Sequence, residues 1–396
     1  MNTYSVAVIL DMARPFDRKI LAGVGAYRQE AGNWSIYLES EPRQRLPDFH
    51  IWQGHGILAN LSDARVARAV RDSQLPFVAV GGPYLAGAAI DDAPCVSSDN
   101  EAIGRVGFSH LWDQGYRRVA FCGIPNTNAN RWSEERLVAF AKLARSHGCH
   151  CATFRGRFQS ARKWRELQAE LAAWLKTLEP PIGVMACNDA RARHVLEACR
   201  TLGIRVPQDI AVVGVDNDEI LCELTDPPLS SVQQGVHRVG YRAAVLLAAL
   251  MRGERPAITQ ERVAPDSVVV RRSTGALMCD DEDVAAAVRF IREKALEKIR
   301  VIDVARAVGL SASRIQRRFT SAVGRTIHHE IERLRLEAAC KFLRETAWPL
   351  KQVAANTGFV SVQYLANVFR RRFKQTPSEY RRAAWPQAGA KRERKS

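Results

Sequence analysis

The sequence lacks the features that mark membrane, secreted and many enzymatic proteins. Its longest apolar run, residues 243–251, falls far short of the roughly 18 residues that a membrane-spanning helix needs. The first residues, Met-Asn-Thr-Tyr-Ser, lack the basic segment and apolar stretch of a signal peptide. The chain has no Gly-x-Ser-x-Gly, no Gly-x-x-x-x-Gly-Lys-Ser/Thr and no His-Glu-x-x-His motif. We therefore expect a cytoplasmic protein that does not insert into membranes and is not an enzyme.

Cysteine is present without a disulfide framework. The nine cysteines are odd in number and scattered along the chain, which is typical of proteins in a reducing compartment. Cys149-His150-Cys151 is the one close cluster, but a structural zinc site needs four ligands and no second pair lies nearby. We therefore expect no bound metal and no cofactor.

Positive charge is concentrated in the last part of the chain. Residues 283–396 hold 25 Lys and Arg against 10 Asp and Glu, whereas residues 1–282 hold 33 against 32. Lys and Arg clustered on one module are typical of proteins that bind the phosphate backbone of nucleic acids. A solvated basic surface gives the same charge count, so charge alone leaves both interpretations open.

The nearly neutral part alternates apolar runs with amphipathic stretches. Strands are predicted at residues 6–10, 56–59, 77–80, 119–122, 183–186 and 211–215. Helices are predicted at residues 18–31, 64–71, 102–114, 134–147, 162–177, 189–202 and 238–251. This alternation predicts a parallel sheet architecture covered by helices on both faces. Gly23-Val24-Gly25 lies inside a predicted helix and is interpreted as a helix-packing feature.

Polar side chains follow several of the predicted strands. Asp11, Asn188, Asp189, Asp216 and Asn217 all stand directly after an apolar run. Ligands of open α/β sheets bind outside the carboxyl ends of the strands, so these positions favour a polar small-molecule ligand.

The last quarter contains the same short pattern twice. The first copy is Val304-Ala305, Gly309-Leu310-Ser311, Ile315 and Phe319, and the second is Val353-Ala354, Gly358-Phe359, Ser361, Leu365 and Phe369. Each copy predicts a helix, a glycine-marked turn and a second helix that can enter a major groove. The predicted helices span residues 284–299, 301–308, 311–323, 327–345, 350–356 and 361–373.

The duplicated segment resembles the DNA-binding domain of the arabinose-regulator family of transcription factors. The likeness covers residues 283–382 and includes Gly324, Ala338, Gly358 and the segment Thr376-Pro377-Ser378-Glu379-Tyr380-Arg381. Leu365, at a position that is usually aromatic, and Gln375, in place of a usual Gly, depart from the pattern.

Residues 4–272 resemble the sugar-sensing domain of the lactose-repressor family, which is similar to periplasmic binding proteins. The likeness rests on Pro15-Phe16-Asp17-Arg18, Arg131-Trp132, residues 188–194, residues 214–217 and residues 229–235. The order of the two domains resembles that of the xylose-responsive activators of bacterial xylose operons. It implies a two-lobed α/β periplasmic-binding-protein-like domain followed by an all-α domain with two helix-turn-helix units.

The resemblance also implies domain boundaries. The sensing domain is expected at residues 1–272, with lobes of about 1–112 plus 237–256 and 113–236 plus 257–272. A linker at 273–282, a DNA-binding domain at 283–383 and a basic tail at 384–396 complete the chain. The tail, which lacks apolar residues, either adds weak attraction to phosphate or has no role.

Carried over position by position, the resemblance implies a sugar site. Its residues are Asp11, Asp99, Arg131, Asn188, Asp216 and Gln234, with Phe16 and Trp132 against an apolar sugar face. Carboxylates, amides and a guanidinium suit this task because each bonds two vicinal hydroxyls. Each of these residues could instead be a helix cap or a turn residue. For the neighbouring Asp189 we expect the role of a helix cap.

Helical spacing predicts the DNA-reading faces. In the first unit the outward residues are Ser313, Arg314, Gln316 and Arg317, and Arg and Gln read guanine and adenine in pairs of hydrogen bonds. In the second unit Val362, Gln363 and Asn367 occupy the corresponding face, while Arg370, Arg371, Arg372 and Lys374 are expected on phosphates or in solvent. The first unit is expected to set most of the specificity.

The hypothesis is a sugar-responsive transcription factor, a D-xylose-dependent activator of pentose catabolic genes. Its expected partners are promoter DNA, the monosaccharide, RNA polymerase and a second copy of the chain. A response to another monosaccharide, and repression instead of activation, stay open. A sugar-binding transport component is a rival, which the basic module disfavours. An enzyme acting on DNA or a sugar phosphate is another, and turnover by residues 1–275 would support it.

Overall fold

A computed structural model describes residues 3–42, 44–49, 51–81, 93–127, 130–157, 163–275 and 281–384. The chain divides into two units, Met1–Ala276, which we call the sensing domain, and Leu277–Ser396, which we call the helical domain. The sensing domain is α/β and the helical domain is all-helical in its described part. This confirms the fold class that the sequence predicts. The basic tail from residue 385 and linker residues 276–280 lie outside the described residues.

The sensing domain contains twelve strands in its described residues. They are β1 (Tyr4–Ile9), β2 (Trp34–Glu39), β3 (Gly56–Asn60), β4 (Phe77–Val80), β5 (Cys95–Ser98), β6 (Val119–Cys122), β7 (Cys151–Phe154), β8 (Ile182–Ala186), β9 (Ile210–Val215), β10 (Ser230–Val232), β11 (Gln260–Val263) and β12 (Val268–Val269). All the strands that the apolar runs predict are present. The sequence prediction missed β2, β5 and β7, among others, since β2 mixes exposed and buried residues and β5 holds two serines.

The strands form two sheets of six. The first has the order β11-β5-β4-β3-β1-β2 and the second β12-β10-β9-β8-β6-β7. Every pairing is parallel except that of β10 with β12. Buried parallel strands carry apolar side chains on both faces, which explains the continuous apolar runs. Because parallel strands end together, the polar residues after them meet at one edge of each sheet.

The helices of the sensing domain cover these sheets. They are α1 (Pro15–Ala31), α2 (Ala64–Asp72), α3 (Asn100–Asp113), α4 (Arg131–Ser146), α5 (Trp164–Leu175), α6 (Asp189–Leu202), α7 (Glu219–Leu224) and α8 (Val236–Met251). Helices α1 and α8 pack closely, and a Cβ on Gly23 would lie 2.0 Å from the His237 carbonyl oxygen. Gly23 is thus a helix-packing residue as predicted, whereas Gly25 has open space beside it.

The division into lobes differs from the sequence prediction at three points. Helix α3 packs on α4 and on strands of the second sheet, so the first lobe ends before α3 and not at residue 112. Strand β11 pairs with β5 in the first sheet, so its residues belong to the first lobe, although the segment 257–272 was assigned to the second lobe. Ser273 and Thr274 are buried and bond to β9 and β10, so the linker does not begin at residue 273. Packing and hydrogen-bond partners that are distant in sequence decide all three boundaries.

The helical domain consists of α9 (Glu282–Lys294), α10 (Val301–Ala307), α11 (Ala312–Val323), α12 (Ile327–Glu345), α13 (Leu350–Asn356), α14 (Val362–Phe373) and α15 (Pro377–Ala384). Its apolar residues form two cores. In the first core, helices α9 to α11 pack against the first half of α12, with Phe319 of α11 at the centre. In the second core, α13 to α15 pack against the second half of α12, with Phe369 of α14 at the centre. In the described part of the chain, no helix is long and apolar enough to cross a membrane.

Candidate functional site

A cavity of about 650 Å³ lies between the carboxyl ends of the two sheets of the sensing domain. We call it the effector cavity. The first lobe lines it with residues that include Phe16, Asn60 and Ser98, and the second lobe contributes, among others, Trp132, Arg136, Asn188, Asp189, Asp216 and Gln234. The volume is in the range of small-molecule pockets, and its walls combine a few aromatic rings with many polar groups.

Two polar atoms in the cavity wall are buried and lack a hydrogen-bond partner among the described residues. They are the Gln234 side-chain oxygen and the Ser98 hydroxyl. The Gln234 amide nitrogen donates to the Asp216 carboxylate, which fixes the oxygen as an open acceptor. Because buried polar groups in proteins are nearly always bonded, these atoms suit a ligand that carries hydroxyl groups.

Arg136 contributes a guanidinium to the cavity wall, beside Arg14 and Arg18, and is only 4% exposed. Its Nε donates to the Asn100 side-chain oxygen at 2.9 Å and its Nη1 to the Cys187 carbonyl at 2.6 Å. The same group lies 4.7 Å from the centre of the Trp132 ring. Arg136 therefore joins α3, α4 and the end of β8 in one fixed arrangement.

Three carboxylates line the second-lobe wall, those of Asp189, Asp216 and Asp218, and the first two lie deepest in it. Asp189 is 2% exposed and accepts hydrogen bonds from the Ser231 hydroxyl at 2.6 Å and the Asp218 amide at 2.8 Å. Burial raises the pKa of Asp189, and the charge of Asp216 raises it further. Burial also raises the pKa of Asp216, against the opposing effect of Arg136. Both shifts reflect burial, and that of Asp189 also reflects its repulsion by the neighbouring Asp216 charge.

In the first lobe, Asn60 is held by a carboxylate behind it. Its side-chain nitrogen donates to Asp17 at 2.9 Å, and the other Asp17 oxygen accepts from the Asp11 amide at 2.9 Å. Asp17 is fully buried, and burial raises its pKa. The segment after β1 and the end of β3 are thereby tied together beside the cavity.

Five of the eight predicted sugar-site residues line the effector cavity: Phe16, Trp132, Asn188, Asp216 and Gln234. Asp11, Asp99 and Arg131 are not among its lining residues. Asp11 accepts from the Ala13 amide and pairs with Arg14, and Asp99 caps α3 by accepting from the Ala102 amide at 2.8 Å. Arg131 is exposed at the first position of α4.

The prediction that Asp189 is a helix cap is wrong. Asn188 caps α6 by accepting from the Arg191 amide at 2.9 Å, and Asp189 is the first helical residue, with its carboxylate turned into the cavity wall. Asn60 was missed although it directly follows the predicted strand 56–59, where the rule applied to Asp216 would have found it. Ser98 was missed because its strand, β5, was not predicted. Arg136 has no sequence signal because it lies within a helix.

The two turns of the helical domain have the same geometry. Gly309 and Gly358 adopt left-handed backbone angles, with φ of 67° and 72°. Ser311 and Ser361 then cap α11 and α14 by accepting from the Arg314 and Tyr364 amides. Left-handed angles strain other residues, which explains the glycine in each copy of the pattern. Both copies are helix-turn-helix units.

The residues of the two predicted reading faces differ in their exposure and in their contacts within the chain. Ser313, Arg314 and Arg317 are exposed on α11, and Gln316 is half-buried with its amide donating to Thr320. On α14, Gln363 and Asn367 are exposed, but Val362 packs partly against the second core. Val362 therefore offers less surface to a partner than predicted. Among the residues described, no group of three or more His, Cys, Asp or Glu is placed to hold a metal.

Comparison with known proteins matches both domains. A XylR N-terminal domain model matches residues 5–101, a periplasmic binding protein-like domain model matches residues 108–274, and a helix-turn-helix domain model matches residues 304–383. The solved structure of the xylose-binding transcription activator xylR, at 34% identity, covers 96% of this chain and 98% of its own, with a TM-score of 0.63.

Full-length relatives agree with these matches. The xylose operon regulatory protein of Escherichia coli K12 is 35% identical over 379 residues, which cover 96% of this chain and 97% of that protein. The corresponding protein of Haemophilus influenzae is 32% identical over 379 residues, with 96% and 98% covered. With a polar cavity between two lobes and a helical domain that carries two helix-turn-helix motifs, the chain belongs to the xylose operon regulatory protein family of transcriptional regulators.

Proposed function

We propose that the chain binds D-xylose in the effector cavity and, with the sugar bound, activates transcription of pentose catabolic genes. The observation that carries this proposal is a pair of buried acceptors without a partner among the described residues, the Gln234 oxygen and the Ser98 hydroxyl, beside the Asp216 carboxylate and the Arg136 guanidinium. Hydroxyl groups of a monosaccharide donate to the first three and accept from the last. The Phe16 and Trp132 rings are available for the C–H face of the sugar.

Isothermal titration calorimetry of the full chain with D-xylose tests the sugar. We expect binding of D-xylose and weaker binding of other pentoses and of D-glucose. If the chain bound another monosaccharide but not D-xylose, the effector would be that other sugar, and the proposal of a sugar-responsive regulator would stand. Absence of binding for every monosaccharide tested would remove the sugar-sensing proposal.

Two arginine variants test the site. Arg136→Lys removes the buried planar donor of the second-lobe wall, so we expect D-xylose affinity to fall about 10- to 100-fold, as for loss of a charged hydrogen bond. The matched control Arg131→Ala alters the exposed arginine and is expected to bind as the unaltered chain. Thermal unfolding of both variants checks that they fold. Weaker D-xylose binding by Arg131→Ala, with unaltered binding by Arg136→Lys, would mean that Arg131 contacts the sugar and would contradict the assignment of the site to the effector cavity.

We further propose that the chain acts in the cytoplasm as a homodimer whose paired DNA-binding domains engage repeated half-sites beside RNA polymerase. Sugar binding would shift an equilibrium between dimer arrangements, and it does so only as far as its affinity for the two arrangements differs. Gel-shift titrations of promoter DNA with and without D-xylose, with a reporter assay, test this step. Tighter DNA binding without sugar and reporter repression would indicate a repressor.

A further inference from the structure

The strained part of the effector site is the turn that carries Asp216. Asp216 and Asn217, which we call the Asp216 turn, follow β9 with φ of 113° and 46°. Two consecutive residues other than glycine with positive φ cost free energy and persist only where the surroundings impose them. The surroundings of this turn therefore determine where the Asp216 carboxylate points.

The second lobe supplies part of that support. The Asn217 amide donates to the Ser231 hydroxyl at 2.9 Å, and the Asp216 amide donates to the Val232 carbonyl at 3.0 Å. Arg271 donates to the Asn217 side-chain oxygen at 3.0 Å. These bonds fix the amides and one side chain of the turn, but not its two carbonyl groups.

The first lobe supplies the partner of those carbonyls. The Lys19 ammonium, on α1, donates to the Asp216 carbonyl at 2.8 Å and to the Asn217 carbonyl at 2.7 Å. Bonds from a charged donor are stronger than neutral ones. Lys19 is half-buried, and in the described part of the chain no carboxylate forms an ion pair with it. Its two bonds thus cross from one lobe to the other.

We propose that Lys19 is a positioning residue of the effector site, which holds the Asp216 turn in its strained form when the two lobes are together. Lys19 is not among the residues that line the cavity, so it acts on the sugar through Asp216. Separation of the lobes breaks both bonds and releases the turn, which couples cleft closure to the orientation of the carboxylate. This inference rests on the proposed sugar-binding function.

Calorimetry of the full chain with D-xylose tests the inference. Lys19→Met keeps the aliphatic stem and removes the donor, so D-xylose affinity is expected to fall about 10- to 100-fold, as for loss of hydrogen bonds to a charged group. Lys19→Arg keeps a charged donor and is expected to recover most of that loss. Lys142→Met, on the exposed face of α4, is the matched control and is expected to bind as the unaltered chain.

A second measurement separates positioning from a general structural role. We expect Lys19→Met to keep the thermal unfolding midpoint of the sugar-free chain and to lose most of the sugar-induced compaction seen by small-angle scattering. Affinity equal to that of Lys142→Met, or an equal loss in Lys19→Arg and Lys19→Met, would overturn the inference while D-xylose binding by the unaltered chain still supports the proposed function. Failure of the unaltered chain to bind D-xylose would overturn both.

Discussion

Gly309 faces open space, whereas Gly358, at the same position of the second helix-turn-helix unit, lies against another part of the chain. A Cβ on Gly358 would stand 2.7 Å from the Leu296 carbonyl oxygen and 3.0 Å from that of Glu297, just after α9. Apart from its chain neighbours, no atom of the described residues lies within 4 Å of a Cβ on Gly309. The second turn is therefore packed on the segment between α9 and α10, and the first turn is not packed in this way.

The connecting helix α12 holds the two helix-turn-helix units in different ways. Its Glu330, which is 1% exposed, accepts from Arg325 and Arg333 at the entrance of the helix. Its Glu332 accepts from the Tyr364 hydroxyl at 2.7 Å and from Arg371, both on α14. One carboxylate thus secures the first half of α12, while the other fixes the orientation of the second recognition helix.

These differences separate the roles of the two helix-turn-helix units. On α11 the exposed Arg314 and Arg317 are available to a partner, whereas Arg371 on α14 is committed to Glu332. Sequence-specific contacts depend on side chains that reach base edges, and positioning depends on fixed geometry. We expect the first unit to read more of the sequence and the second to set the orientation, and four predictions test this difference.

The largest expected effect is on the second turn. Gly358→Ala adds the penalty for a left-handed angle to a backbone clash, so we expect a loss of about 2–5 kcal/mol of stability, against about 1–2 kcal/mol for Gly309→Ala. Hydrogen exchange of the full chain in urea, read separately on α10–α11 and α13–α14, measures both. Equal losses would show that the packing of the second turn does not matter.

Acid should weaken the first half of α12. Burial alone would raise the pKa of Glu330, but the hydrogen bond and charge of Arg333, together with Arg325, lower it to about 2. The stabilising effect of the Glu330 carboxylate is therefore complete above pH 4.5, the ordinary pKa of a glutamate. It is lost as the pH falls toward 2. We expect a loss on the order of 3 kcal/mol over that window.

Chemical unfolding of the full chain at several acidic pH values measures this loss, and Glu330→Gln should flatten the profile. The variant should also be less stable at neutral pH, because two arginines remain without their carboxylate. An unchanged slope in Glu330→Gln would rule out this carboxylate as the source of the acid sensitivity.

The reading faces should differ in base specificity. Arg317→Ala is expected to cost about 1–3 kcal/mol at particular bases of the operator, as for direct readout, and Gln363→Ala less than that. Quantitative gel shifts on a set of single-base operator variants measure both. A uniform loss on all sequences for Arg317→Ala would make it a phosphate contact, and a larger base-specific loss for Gln363→Ala would reverse the order of the two units.

The smallest expected effect is that of Arg371→Ala. A phosphate contact changes the slope of log K against log salt by about 1, and we expect a smaller change because Glu332 already partly neutralises Arg371. Salt titrations of DNA binding by the full chain measure the slope. A change near 1 would mean that Arg371 exchanges Glu332 for phosphate when DNA binds.

Much of the fold could be predicted from local patterns. The apolar runs of β4 and β6 and the bounds of α6, α12 and α13 match the predictions residue for residue, because buried parallel strands and long amphipathic helices have strong periodic signals. Edge strands such as β2 and β7 lack that signal. The two lobe boundaries and the start of the linker depend on partners far along the chain, so the boundaries that the resemblance implies place residues 260–263 in the wrong lobe.

The candidate site was predictable where a strand end or a family motif marks it, as at Asn188, Asp216 and Gln234. It was not predictable at Arg136 or Lys19, whose positions in α4 and α1 resemble any exposed helical position in the sequence. Asp99 and Asp189 show the reverse problem, since capping and ligand positions have the same local pattern. Only the packing of the helices shows which carboxylate lies in the cavity.

The sequence by itself determined that a neutral α/β domain precedes a basic helical domain with a duplicated turn, because periodicity, charge and glycine positions are local properties. The tertiary structure decided which side chains share the effector cavity, that Lys19 reaches across the lobes, and that the turn at Gly358 rests on the segment after α9. Lys19 is separated along the chain from its two partners, Asp216 and Asn217, by 197 and 198 positions. Such distances are set by the packing of whole elements, which no local pattern encodes.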